Sequence, residues 1–228
     1  MTTDSLQSLK AALAAASQDN RRRVFEDLRK EFPVHELERK WNVSAEVVLE
    51  AIARATDLTQ RGIRGVIAEA TFGNLVVAPL LAAGWKAKTP AGDIPFDYGL
   101  EDAVGLVRVQ VKNQRNEKKV PKIWKKQAGI FVVETQKTRS GKDKKGKDTR
   151  PYRFGEFDVL AVCLHPSTGD WESFVYTVGN WLLPRKDNKK LIAVYQAVNP
   201  SATQDWTNDF GTAVSWFRSK AKKTIAIP

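Results

Sequence analysis

The spacing of apolar side chains changes twice along this chain. Over residues 1–60 they recur at helical intervals. Ser5 is placed to cap a helix running through the alanines at 11–16, and Asn20 to cap Arg21–Phe32, where Val24, Phe25 and Leu28 form a stripe ended by Pro33. His35–Trp41 reads as a short helix, and Ser44 opens Ala45–Ala55 with Val47, Val48 and Ile52 inward. The last two, joined by Asn42-Val43-Ser44, have the outline of a helix-turn-helix. Glu46 and Glu50 on the second helix suit a phosphate backbone poorly, so packing or dimerisation is the competing role. Gly62 and Gly65 lead into a helix over Ile63–Ala83, with a break expected near Pro79.

From Trp85 the period falls towards two. Strands are predicted at Ile94–Tyr98, Leu106–Asn113, Gly129–Thr138, Phe157–Leu164 and Glu172–Val178, with a turn at Pro166–Gly169 and a closing helix near Asp209–Lys222. Phe157–Leu164 is almost wholly apolar, as a strand covered on both faces would be. The expected fold class is α/β: a mixed central β-sheet flanked by helices, with an N-terminal helical subdomain. The expected divisions are residues 1–60, 61–200 and 201–228.

One strand carries chemistry. Alternation puts Arg108, Gln110 and Lys112 on one face of Leu106–Asn113 and Val107, Val109 and Val111 on the other. A hairpin through residues 101–105 would bring Asp97 alongside. A carboxylate, an amide oxygen, the Val111 carbonyl and a lysine at one sheet edge are what a magnesium-assisted phosphodiester hydrolase needs. Asp93 competes with Asp97 as the acid. Glu69, among small and apolar neighbours on the preceding helix, is a fourth candidate, because an unpaired buried carboxylate is costly. Its alternative is a solvent position or a pair with Arg61 or Arg64. Alternation alone also makes outward polar residues ordinary on a half-exposed strand.

Charge adds a partner. Of the formal net charge of +11, the stretch from Val111 to Arg150 holds 14 Lys/Arg against 4 Asp/Glu, a local +10. Such a concentration points to a polyanion such as nucleic acid; a solubilising loop is the plainer alternative. Residues 140–147 read as a flexible cationic loop. The lone Cys163 excludes an internal disulfide, and no signal peptide or bilayer-length apolar run is evident, so a cytoplasmic protein with no membrane role is expected.

Four ordered blocks then acquire a context: Gly65-Val66-Ile67-Ala68-Glu69-Ala70, Ile94-Pro95-Phe96-Asp97, Val109-Gln110-Val111-Lys112, and Tyr152-Arg153-Phe154 ahead of Phe157–Val162. The arrangement resembles the PD-(D/E)XK nuclease superfamily, type II restriction endonuclease-like, in a Gln-x-Lys variant similar to an intron-associated homing endonuclease branch. It covers about residues 62–178. The resemblance implies a restriction-endonuclease-like core, Glu69, Asp97, Gln110 and Lys112 as catalytic residues, and Asp97, Gln110, Val111 and Glu69 around Mg²⁺. Gln110 departs from the acid commoner at that position: it offers an oxygen but no charge.

The expected activity is Mg²⁺-dependent, sequence-specific hydrolysis of double-stranded DNA to 5′-phosphate ends by a restriction-type homodimer or tetramer. Alternatives are a homing endonuclease, a Holliday-junction resolvase, and a non-catalytic DNA-binding regulator using residues 33–56. Base contacts are expected from Asn113, Gln114, Arg115, Asn116, Gln136, Lys137 and Arg139. Phosphate contacts are expected from Lys118, Lys119, Lys122, Lys125, Lys126, Lys142, Lys144, Lys145 and Lys147. Arg185–Lys190 is a second cationic loop. Trp124 is a candidate wedge, with packing as its alternative.

Overall fold

The computed structural model describes residues 3–32, 35–88, 94–118, 120–137, 141 and 149–226. The chain divides into two compact units, Met1–Arg61 and Gly62–Pro228.

The first unit contains α1 (Thr3–Ala15), α2 (Gln18–Glu31), α3 (Glu36–Trp41) and α4 (Ala45–Arg54). The cap of α2 is Ser17, whose Oγ accepts from Asn20 N at 3.2 Å, so Asn20 lies inside the helix rather than before it. His35 and Glu38 form a reciprocal capping box on α3, and Glu38 also takes Ala45 N at 2.6 Å, tying the start of α4 to α3. Ser44 occupies the N-cap of α4 without a side-chain bond. Glu46 is ion-paired with Arg29 and Glu50 with Arg54, so neither carboxylate is free on this surface.

The second unit is built around a sheet. Helix α5 (Asp57–Phe72) continues without interruption through a π-helical stretch, Gly73–Val77, into α6 (Ala78–Ala82). The helix does not end at the predicted break near Pro79; instead the π-helical stretch directly before it widens the turn that the ring and missing N–H of Pro79 would otherwise disrupt. The combined helix, 26 residues, is long and apolar enough to cross a membrane by composition. Here it turns Ala68, Phe72 and Val77 into the core beside the sheet.

The strands are β1 (Lys86–Ala87), β2 (Tyr98–Asp102), β3 (Gly105–Asn113), β4 (Asn116–Glu117), β5 (Val120–Pro121), β6 (Phe131–Glu134), β7 (Val159–Cys163), β8 (Phe174–Val178) and β9 (Tyr195–Val198). A five-stranded sheet runs β1-β2-β3-β7-β8, with β3 and β7 parallel and its other pairs antiparallel. The mixed α/β class is as expected; several strands are not. The strand predicted at Ile94–Tyr98 begins only at Tyr98, and the hairpin is tighter. Asp102 Oδ1 accepts from Val104 N and Gly105 N, and Arg218 clamps the same carboxylate at 2.6 and 3.0 Å. Strand β6 leaves the main sheet and pairs with β9. The turn after β7 is a short helix, α7 (His165–Thr168), ended by Gly169 at φ 73°. The closing helix, α8 (Phe210–Arg218), is shorter than predicted and is capped by Asp209, which accepts from Thr212 N at 2.6 Å.

Both faces of β3 and β7 are covered. On one, Val107, Val109 and Val111 join Val159, Ala161 and Cys163 beneath α5 and α8. Phe72 centres this layer, its ring 5.5 to 6.4 Å from Tyr98, Phe174, Phe210 and Tyr176; truncating such a residue costs about 3–5 kcal/mol. On the other, Leu160 and Val162 pack with Val133, Tyr152, Phe157 and Trp181. The segment after residue 200 belongs to this core, through Trp206, Phe210, Val214 and Ile225.

Candidate active site

The β2–β3 register fixes the first contact. Tyr98 faces Val109, so Asp97 falls opposite Gln110 at the open end of the hairpin. Asp97 N donates to Val109 O at 2.9 Å, and Asp97 Oδ2 accepts from Val111 N at 2.7 Å and from Gln110 Nε2 at 2.5 Å. Burial holds the Asp97 carboxyl above its ordinary range, against the opposing pull of Lys112 and these two N–H groups.

Helix α5 supplies Glu69, one position round from the fully buried Ala68. Burial raises its carboxyl pKa first and the Asp97 charge raises it further, while Lys112 opposes both. Tyr98 Oη donates to the Glu69 main-chain oxygen at 2.9 Å. Gly73 makes room for that hydroxyl: a Cβ there would lie 2.8 Å from it. The Tyr98 hydroxyl is itself raised by burial and by the Glu69 and Asp97 charges.

Lys112 completes the cluster. Burial lowers its ammonium pKa, against the Asp97, Glu69 and Glu134 charges that favour protonation. Its Nζ lies 5.6 Å from the centre of the Tyr152 ring, and Lys137 Nζ lies 5.2 Å from the same ring.

The structure therefore gathers Glu69, Asp97, Gln110 and Lys112 into one electrostatically coupled group. It also adds two residues to which the sequence assigns no site role. Tyr152, 3% exposed, donates from Oη to Gln110 Oε1 at 2.9 Å. Glu134, at the end of β6, acts on Lys112 and is paired with Arg115. The Tyr-Arg-Phe block is a signal for Tyr152. Nothing in the sequence marks Glu134, which reaches the site only because β6 runs beside the end of β3.

Gln110 departs from expectation in orientation. The oxygen expected to face a cation points to Tyr152. The nitrogen faces Asp97 and, at 3.1 Å, the Val111 carbonyl. Two hard oxygens thus converge on one amide N–H₂ group, which is positive where a cation would be. No group of three or more His, Cys, Asp or Glu side chains able to hold a metal occurs among the described residues. The oxygens left to hold an ion are the Asp97 and Glu69 carboxylates and the Val111 carbonyl, a hard set that suits a partly hydrated ion such as Mg²⁺ rather than a thiophilic or imidazole-seeking one, while the Gln110 amide oxygen is turned away to Tyr152.

Several expected DNA contacts face inward. Gln114 is 3% exposed, with Oε1 accepting from Ser167 Oγ at 2.8 Å, and is removed from any base-reading role in this conformation. Arg115 is half-buried and paired with Glu134. Lys137 Nζ pairs with Glu156 at 2.8 Å and Lys122 Nζ with Glu117 at 3.2 Å. Asn113, Asn116 and Gln136 are half-buried, whereas Lys118, Lys125 and Lys126 are exposed. Trp124, 9% exposed, packs with Val132 and Ala197, as the packing alternative had it. In the second cationic loop, Arg185 is held by Asp187. Asp93, Lys119, Arg139, Lys142, Lys144, Lys145 and Lys147 lie outside the described residues.

No protein family matches the sequence, and neither does any curated protein. Among solved structures, a bacterial homing endonuclease, I-Ssp6803I, aligns over 63% of this chain and 79% of its own, at 23% identity and a TM-score of 0.34. At that distance it is a loose likeness and says nothing of this chain's chemistry.

Proposed function

We propose that this protein is a metal-dependent DNA endonuclease of restriction type. The observation that carries the reading is the convergence of Asp97 on the end of β3, where its carboxylate accepts from Val111 N at 2.7 Å and Gln110 Nε2 at 2.5 Å, with the Lys112 ammonium acting on both Asp97 and Glu69. Two carboxyls with raised pKa values beside a half-buried lysine form a polarised, partly desolvated cluster of the kind that phosphoryl chemistry requires.

Asp97, Glu69 and the Val111 carbonyl would hold Mg²⁺, with Gln110 beside them. Bound there, the ion would supply Lewis acidity and water activation for attack on a phosphodiester. Lys112 provides a fixed positive charge for the developing phosphorane oxygens, or takes the proton of the attacking water when neutral. Its lowered pKa makes the second role more accessible than for a surface lysine. Asp97 is held in place by Val111 N–H, and Glu69 by the helix whose carbonyl Tyr98 grips. In-line attack would leave 3′-hydroxyl and 5′-phosphate ends.

The exposed Lys118, Lys125 and Lys126 lie just beyond the catalytic strand and would seat the DNA backbone. One such cluster cuts one strand, so a double-strand break calls for a homodimer or tetramer, with twofold symmetry matched to the target. The first unit, with no buried residue among its described positions, is the candidate assembly segment.

Incubation with mixed plasmid DNA and Mg²⁺ tests the reading. Discrete fragments are expected. Cutting confined to four-way junctions would make the protein a resolvase, and uncut DNA that is nonetheless bound would make it a regulator.

A further inference from the structure

Gln110 is 2% exposed, and its amide is bonded at both ends. Nε2 donates to Asp97 Oδ2 at 2.5 Å and to Val111 O at 3.1 Å, and Oε1 accepts from Tyr152 Oη at 2.9 Å. Carboxylate and carbonyl oxygens accept only, so the nitrogen must face them while no cation is bound. In that state, however, Gln110 cannot be an oxygen ligand. Its N–H₂ group lies between the two oxygens that would hold the ion and would repel it.

Tyr152 differs from the other partners, because a phenol both donates and accepts. If the amide turns about its last side-chain bond, nitrogen and oxygen exchange places at nearly constant shape. The Tyr152 hydroxyl can then accept from Nε2 once its hydrogen rotates about the Cζ–Oη bond. No proton is gained or lost. Packing holds the ring in place through this exchange, since it is buried and lies edge-on against Phe157 at 5.2 Å.

We infer that Gln110 is a cation-responsive amide, with Tyr152 as its positioning residue. Without a divalent cation its nitrogen satisfies Asp97 and Val111. With one bound, its oxygen turns to the ion and its nitrogen to Tyr152. The amide thus takes the place an ion would fill, bonding the Val111 carbonyl and adding to the Val111 N–H already on Asp97, and cation binding must displace it. The inference rests on the endonuclease reading for the identity of the ion.

The test uses the full chain with selectively ¹⁵N-labelled glutamine and Ca²⁺ as a non-cleaving probe. The Gln110 amide signals are those absent from Gln110→Glu. Calorimetry follows Ca²⁺ binding in parallel. As Ca²⁺ saturates, the Gln110 Nε2 protons are expected to shift and to gain cross-relaxation to the Tyr152 ring protons. Tyr152→Phe, which leaves the turned amide nitrogen without its acceptor, is expected to bind Ca²⁺ about tenfold more weakly than wild type. Saturable Ca²⁺ binding with unchanged Gln110 signals would overturn the inference and leave the endonuclease reading standing. A turning amide in a protein that never cuts DNA with Mg²⁺ would keep the inference and remove the endonuclease reading. No Ca²⁺ binding would overturn the inference, and Mg²⁺-dependent cutting decides the endonuclease reading separately.

Discussion

Arg108 and Asp158 lock β3 to the start of β7. The Asp158 carboxylate accepts from Arg108 Nε at 2.9 Å, Arg108 Nη2 at 2.7 Å and Arg108 N at 2.8 Å, and Asp158 N donates back to Arg108 O at 2.8 Å. Arg108 shares its strand face with Gln110 and Lys112, so this clamp also sets the height at which those two meet Asp97. Residue alternation assigns Arg108 to the site face; its partner turns it into scaffold.

Removing Asp158 leaves a half-buried guanidinium and the Arg108 N–H without their acceptor. Asp158→Ala is expected to cost about 1–3 kcal/mol in urea or thermal unfolding. Arg108→Lys keeps the charge but loses the two-armed geometry and is expected to cost less. Equal unfolding curves for wild type and Asp158→Ala would contradict this clamp.

Stability should also depend on Glu69. A carboxyl whose folded-state pKa is raised weakens the fold once it ionises. The penalty is absent in acid below the ordinary glutamate value, grows as pH rises through the raised value and is complete above it. Glu69→Gln is therefore expected to melt higher than wild type at pH 7, with the difference vanishing near about pH 4. The same variant should cut DNA poorly. A lower melting temperature at pH 7 would show that Glu69 is instead stabilised by a partner.

Gly73 gives a more local test. An added methyl would meet the Tyr98 hydroxyl at 2.8 Å and push it from the Glu69 carbonyl. Gly73→Ala is expected to cost about 1–3 kcal/mol and to slow cleavage without weakening DNA binding. Cleavage at the wild-type rate would mean that Glu69 needs no such anchor.

For DNA affinity, the exposed Lys125 and Lys126 should act through phosphates. The Lys125→Ala/Lys126→Ala pair is expected to weaken binding alike on all sequences. It should reduce the slope of log K against log salt by about two. An unchanged slope would place the DNA elsewhere.

The hairpin contacts were readable in sequence for a simple reason. Strand alternation and a short turn leave little freedom in where Asp97 meets Gln110. The exact strand was not readable, because the turn is set by Asp102 and by Arg218, more than a hundred residues later. The direction of the Gln110 amide depends on Tyr152, and the burial of Gln114 on Ser167; both partners come from distant segments. The apolar run at Phe131–Glu134 has the pattern of any buried strand, so sequence could not tell the main sheet from a separate ribbon with β9. That ribbon brings Glu134 to Lys112.

The most direct measurement compares Mg²⁺-dependent DNA cleavage by wild type and Lys112→Ala at matched DNA occupancy, with folding checked by circular dichroism. The expected result is product from wild type and at least about a hundredfold less from the variant, because a single ammonium among many contributes little to affinity but stands beside the reacting phosphate. Equal cleavage by the two proteins would contradict the account.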